Sequence, residues 1–210
     1  MEYTEIELTC KRIGAKHTRI NSDGSPVYTV PVIYDPNTKT VMEESLKIAQ
    51  YLDNTYPDAP RLIPDGAFVL HNAFSTIVES TVLSIVPILI LPLHDNLNPI
   101  SADFFRNARE KDFGTTLEKW VPKGEEECDK ILEVLEQGLG RIAGWFTGGQ
   151  TGPFVMGDVT TFSDMILGAW IIWLKIVFGE GSREWGKIGR MNGGFCERHL
   201  ELLAEYENSL

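Results

Sequence analysis

The chain has 210 residues, 43% of them hydrophobic, enough to bury a substantial core, and its 30 acidic against 19 basic residues give a formal net charge of -11. That balance leaves no basic surface to neutralise a phosphate backbone, so nucleic acid is not an expected partner. Cys10, Cys128 and Cys196 are odd in number, far apart and free of Cys-x-x-Cys spacing. Neither a disulfide framework nor a metal site is indicated, and a reducing cytoplasm is the compartment expected.

The start, Met1-Glu2-Tyr3-Thr4-Glu5, has neither the basic residues nor the apolar run of a secretory signal. Up to Pro60, strand and turn signals dominate. Ser22-Asp23-Gly24-Ser25 reads as a turn between short strands, and Val27-Tyr28-Thr29-Val30 and Val32-Ile33-Tyr34 are β-prone on either side of Pro31. Asp35-Pro36-Asn37-Thr38 supplies a second turn, from which Thr40-Val41-Met42 returns. Ser45 then suits an N-cap, and the helix it opens carries Ile48, Ala49, Leu52 and Tyr56 on one face until Pro57 ends it. The segment 57–66 has three prolines and a closing Asp-Gly, a composition that breaks helices; we read it as a linker between a domain over 1–56 and another over 67–210.

Helical periodicity dominates after the linker. Patterns over 67–83 and 102–113 are helical, and Glu125-Glu126-Glu127 opens a helix whose Ile131, Leu132, Leu135 and Leu139 form a stripe, the acidic first turn complementing the helix dipole. Thr161-Phe162-Ser163-Asp164 is a capping box ahead of the apolar run Met165 to Leu174, which suits the central helix of an all-helical domain. Val82 to Leu93 is broken by Pro87 and Pro92, and Ile166 to Phe178 carries Lys175. Both fall short of the roughly 20 apolar residues a membrane span needs, so buried helices are expected and no membrane partner.

Val30-Pro31-Val32-Ile33, followed by Glu44-Ser45 opening a helix with Ile48-Ala49 and Tyr51-Leu52, resembles the glutathione half-site of glutathione transferases. The resemblance implies a cis proline that turns the preceding main chain, here Val30, toward the cysteinyl part of glutathione. It also implies a γ-glutamyl carboxylate on the Ser45 hydroxyl and the free N–H groups of a helix start, with Glu44 receiving the ammonium. Taken singly, a Val-Pro is commonly a strand edge and a Ser before a helix a plain cap; their order, the linker and the later capping box carry the resemblance together. It narrows to fungal-specific transferases related to bacterial β-etherases through Cys10-Lys11-Arg12-Ile13-Gly14-Ala15, the segment Asp23 to Ile33, the segment Ile48 to Pro57, Trp185 and Met191-Asn192-Gly193-Gly194. In that class the segment around Asp23-Gly24 resembles an inserted β-hairpin that can lie over the glutathione site and disfavours the usual dimer.

The fold implied is α+β and predominantly helical: an N-terminally truncated thioredoxin-like domain followed by an all-α C-terminal domain. Met1-Glu2-Tyr3 leaves no room for an opening strand, the helix after it, or the Ser or Cys that acts on the glutathione sulfur. The chain is expected to enter at or just after the second strand, with unpaired edges where the first would lie; a misassigned start is preferred over a shortened isoform or a segment replaced by a partner. No catalytic residue is therefore assigned. Cys10 reads as an ordinary loop or helix cysteine, and His17, His71, His94 and His199 lack triad or metal spacing. Among the aromatics Trp145, Phe146, Trp170, Trp173 and Phe178, most fill a core, with Trp170 and Trp173 as the pair expected to meet an apolar ligand. The resemblance implies a fungal detoxification protein, a homodimer, that binds glutathione and hydrophobic or aromatic, wood-derived phenolic ligands, with conjugation or deglutathionylation in the complete protein. The alternatives are a non-catalytic ligandin and an interaction module.

Overall fold

The computed structural model describes residues 1–21, 23–148 and 152–207. It opens on a helix, α1 (Tyr3–Ile13), which corrects the expectation that the chain enters only at or after the second strand. Glu5 accepts the Glu2 backbone N–H at 2.9 Å, and Gly14, left-handed at φ 82°, closes the other end. The capping pair is two glutamates instead of Ser or Thr, and Thr4, Ile6 and Thr9 are β-branched, so the local signal for helix is weak. Packing on α5 supplies what propensity does not: the Tyr3 N–H donates to Ser101 Oγ at 2.9 Å, and the Tyr3 and Phe104 rings stack at 6.2 Å.

β1 (Arg19–Ile20) and β2 (Pro26–Val27) form a short antiparallel hairpin whose turn includes Asp23 and Gly24; Ser22 of the expected turn lies outside the described residues. The β-prone stretch through Val30 pairs only as far as Val27. β3 (Val32–Asp35) and β4 (Thr40–Glu43) pair from Val32 opposite Glu43 to Asp35 opposite Thr40. The two hairpins are separate two-stranded sheets among the described residues, and Ile20 and Tyr34 stay more than half exposed. α2 (Ser45–Thr55) follows β4 directly. Residues 56–67 form no helix or strand, and Asp53 of α2 holds them by accepting the N–H groups of Leu62 and Ile63 at 3.0 and 2.7 Å.

The helical part comprises α3 (Phe68–Leu83), α4 (Val86–Asp95), α5 (Pro99–Phe113), α6 (Leu117–Trp120), α7 (Glu125–Thr147), α8 (Phe162–Phe178), α9 (Arg183–Leu202) and α10 (Ala204–Glu207). α3 and α4 meet at a bend of 80°. Among the described residues no single helix is long and apolar enough to cross a membrane. α8 runs through the centre, packed on α3, α4 and α9, and its Leu167, Ile171 and Leu174 are wholly buried. They join Val78 and Val82 of α3, Leu135, Leu139 and Ile142 of α7, and Ile188 and Cys196 of α9 in one core. Each such side chain contributes about 1.5–3 kcal/mol by leaving water. α9 was not apparent in the sequence because Asn192, Gly193 and Gly194 interrupt it with three successive positive φ angles.

The start of α8 is satisfied from within the core. Asp164 accepts the Thr161 N–H at 2.9 Å, the Thr161 hydroxyl at 2.8 Å and the Val155 N–H at 2.7 Å, while the Phe162 N–H donates to the Leu62 carbonyl at 2.9 Å. Asp164 and Thr161 are fully buried. Replacing the acceptor strands three donors, so Asp164→Ala is expected to cost about 2–4 kcal/mol of stability. Urea unfolding followed by circular dichroism measures it, and Thr161→Ala is expected to cost less because the backbone N–H to Asp164 survives.

Candidate functional site

The Val30–Pro31 peptide is cis. The strand ladder begins at Val32, so the Val30 N–H and C=O stay outside the hydrogen bonding of the sheet. Across from them, β4 gives way to α2 through Glu44, whose φ of 70° and ψ of 118° lie where a residue with a Cβ pays ~1–3 kcal/mol of backbone strain. Sequence analysis places the N-cap at Ser45. In the structure Glu44 is the N-cap, because its carbonyl accepts the first helical bond, from Ile48 at 2.9 Å, and Ser45 is the first helical residue. The Ser45, Leu46 and Lys47 N–H groups are thereby left without partners inside the helix, at its positive end.

Val30, Pro31, Glu44 and Ser45 all line one cleft of about 520 Å³. Its opposite walls come from the helical part: Asn72, Ser75, Thr76 and Glu79 of α3, and Phe162, Ile166 and Trp170 of α8. Lys47 is the one cation among the lining residues. The α3 residues were missed in the sequence, although Asn72, Ser75, Thr76 and Glu79 recur at i, i+3, i+4 and i+7 as a polar row on the helix, a signal for a face turned to something other than core.

Trp173 lies apart from that cleft. It lines a second cavity of about 550 Å³ with Leu89, Ile90 and Leu93 of α4, Phe105, Arg109 and Phe113 of α5, and Trp170. The two indoles meet edge to face at 5.3 Å, and Ile166 and Trp170 belong to both cavities, forming the wall between them. The other aromatics keep to packing: Phe146 and Phe178 lie against the main core, and the half-exposed Trp145 sits on Phe74. The hairpin residues Arg19, Asn21 and Ser25 to Tyr28 face a third cavity of about 720 Å³ between α1 and α5, which shares Thr29 and Val30 with the cleft.

No cysteine or histidine is among the described residues lining the cleft. Burial raises the thiols of Cys10 and Cys128 above their ordinary range and pushes Cys196 up to about 12, which disfavours the thiolate in all three. His71 and His199 are core residues held neutral by burial; His71 Nδ1 meets Ser163 Oγ at 2.6 Å and His199 Nε2 the Asp164 carbonyl at 3.1 Å. Three hydroxyls of the cleft already donate elsewhere: Ser75 to the His71 carbonyl, Thr76 to the Asn72 carbonyl, and Thr29 to Thr18 Oγ1. Ser45 is the hydroxyl left uncommitted. The arrangement can bind a small zwitterion carrying a carboxylate and an extended peptide-like backbone.

A small mixed hairpin and helix layer, a cis proline facing a helix start, and an all-helical second part define a thioredoxin-like domain joined to a helical one. Residues 69–206 match the model of the glutathione S-transferase C-terminal domain and residues 4–60 that of the N-terminal domain. The chain belongs to the glutathione S-transferase family. It is 40% identical to glutathione transferase GSTFuA2 from Phanerochaete chrysosporium over 99% of this chain and 82% of that one, with a TM-score of 0.88. It is 38% identical, with a TM-score of 0.91 and the same coverage, to a glutathione S-transferase of Ceriporiopsis subvermispora solved in complex with glutathione. Glutathione S-transferase-like protein ustS of Aspergillus flavus is 29% identical over 157 residues, 70% of this chain and 56% of that protein. The chain thus spans little more than half the length of that relative.

The hairpin that carries the cleft is fixed to α2 by Asp35. Its carboxylate accepts the hydroxyls of Tyr51 and Tyr56 at 2.6 and 2.7 Å and the Asn37 N–H at 2.9 Å, and the Tyr51 and Tyr56 bonds above all hold its pKa down from 3.8 to about 2. A carboxyl whose pKa falls on folding stabilises the fold above its unfolded value and loses that contribution as pH drops through the folded one. The melting temperature is expected to fall between about pH 4 and pH 2, and Asp35→Asn to start lower and flatten that part of the profile; thermal melts across the range test it.

Proposed function

We propose that this chain binds glutathione in the half-site cleft and a hydrophobic or aromatic molecule, phenolics of plant origin among them, in the apolar cavity beside it. The observation that carries the reading is the shared wall of Ile166 and Trp170, which sets an apolar chamber directly against a cleft built from Val30-Pro31 and Glu44-Ser45. In this reading the γ-glutamyl carboxylate rests on the Ser45 hydroxyl and the first N–H groups of α2, and the ammonium on Glu44. The Val30 main chain pairs with the cysteinyl portion, and Lys47 offers a charge for the remaining carboxylate. The Ceriporiopsis relative, solved with glutathione, supports the ligand. Conjugation or removal of glutathione is proposed for the whole protein, in a detoxifying role in the cytoplasm.

A ligandin role is the second reading, and the hydroxyl commitments favour it for the residues described. Ser75, Thr76 and Thr29 spend their protons on other oxygens, which leaves the glutathione sulfur without a donor from them. We also propose a homodimer through the outer face of α3 and α7, where Leu70, Ile77 and Trp145 are exposed. Sedimentation equilibrium checks this, with Leu70→Glu expected to yield monomer.

Titration calorimetry with glutathione tests the main reading. Ser45→Ala is expected to weaken binding about 10-fold, the scale of one hydrogen bond to a charged group. An unchanged affinity in that variant, or no heat with the parent chain, would remove the half-site assignment.

A further inference from the structure

The apolar cavity has a one-sided polarity. Its lining is hydrocarbon and aromatic except for Arg109, Trp170 and Trp173, whose side-chain polar groups are all donors; Arg109 stands between this cavity and the third one, which it also lines. No carboxylate, hydroxyl or amide side chain is among the residues lining it. Arg109 is also incompletely used. One end of its guanidinium sits 3.1 Å from Asp112, a pair in which the acid is largely in water, and the carbon of the group lies 5.8 Å from the centre of the Phe105 ring. Its Nε is buried and has no hydrogen-bond partner among the described residues. A buried N–H on a cation is a group that gains from an acceptor, and most from a charged one.

We infer that the cavity selects aromatic acids: flat, acceptor-bearing molecules whose ring packs among Phe105, Trp170 and Trp173 and whose carboxylate is held by Arg109. This rests on the reading of the cavity as a ligand chamber and adds to it a charge rule and a residue that enforces it. Arg109 is then a specificity-determining residue, not a catalytic one. The ring supplies affinity by burial, as any apolar molecule would, while the guanidinium separates an acid from its neutral counterpart of equal shape. Two indole N–H groups reinforce the same preference, since neither can accept a proton from a ligand hydroxyl or amide.

The test compares naphthalene-2-carboxylate with naphthalene-2-carboxamide at pH 7, by quenching of tryptophan fluorescence and by calorimetry, with excess glutathione present so that the half-site cleft does not take up the acid. The acid is expected to bind the parent chain about 10- to 100-fold more tightly than the amide, the range of a hydrogen bond to a charged group. In Arg109→Met the preference is expected to vanish, with a thermal melt showing that the variant is folded, and Arg109→Lys is expected to restore part of it. Equal binding of acid and amide to the parent chain, or a preference that persists in Arg109→Met, overturns the charge rule while the chamber stands. Failure of both compounds to bind overturns the chamber itself, and with it the rule.

Discussion

Asp164 is the acceptor on which the arrangement of the chain turns. A helix as apolar as α8 gains stability only by being buried on nearly all sides, and a buried helix start presents N–H groups that water cannot reach. Asp164 and Thr161 meet that need in place, and the Phe162 N–H goes to the Leu62 carbonyl of the connecting segment. That last bond ties the two parts of the molecule together, since Asp53 of α2 grips Leu62 and Ile63 from the other side. Leu46, Ala49, Ile63 and Phe162 close into a small core around the same point. The cleft residues on α2 and the wall residues Ile166 and Trp170 on α8 are therefore set relative to each other by a short chain of hydrogen bonds.

The elements that were legible in the sequence are those whose signals are local. The α8 capping box, the stripe of α7, the turn at Asp35 to Thr38 and the helix after Glu44 each declare themselves within a few residues, and each is present. α1 and α9 do not, for different reasons. α1 has weak propensity and is held by Tyr3 against Ser101 and Phe104, nearly a hundred residues away. α9 is two helical segments joined at a kink over Met191 to Gly194, which no periodicity argument follows, and Asn192 there bonds to the Glu136 carbonyl of α7. The one-residue shift of the α2 cap has the same origin. Ser is the better N-cap by preference, but the positive φ at Glu44 moves the helix boundary back by one.

The site was legible to the same degree. Val30, Pro31, Glu44 and Ser45 share a cleft because they flank one hairpin and the helix it feeds, a relation written in their spacing. The α3 wall, by contrast, depends on how the helical part docks, and Arg109 becomes notable only once the polarity of everything around it is known. Single aromatics gave an intermediate outcome: Trp170 and Trp173 are i, i+3 neighbours on α8, so one face of one helix carries both to the cavity, while Phe146 and Phe178 pack against the main core.

The two chambers differ in chemistry because α3 and α4 differ in composition and in direction. α3 presents its polar row to the cleft; the chain then bends by 80°, and α4 presents Leu89, Ile90 and Leu93 to the second cavity. Pro87 near the start of α4 and Pro92 within it remove backbone donors, and at the far end the Asn96 side chain donates to the Pro92 carbonyl at 2.8 Å and to the Val177 carbonyl of α8 at 3.0 Å. The bend and that bridge hold α4 against α8, so the apolar chamber keeps a fixed wall in common with the polar cleft. A molecule with a polar half and an aromatic half would find each in the medium that suits it, with Trp170 in the wall between them.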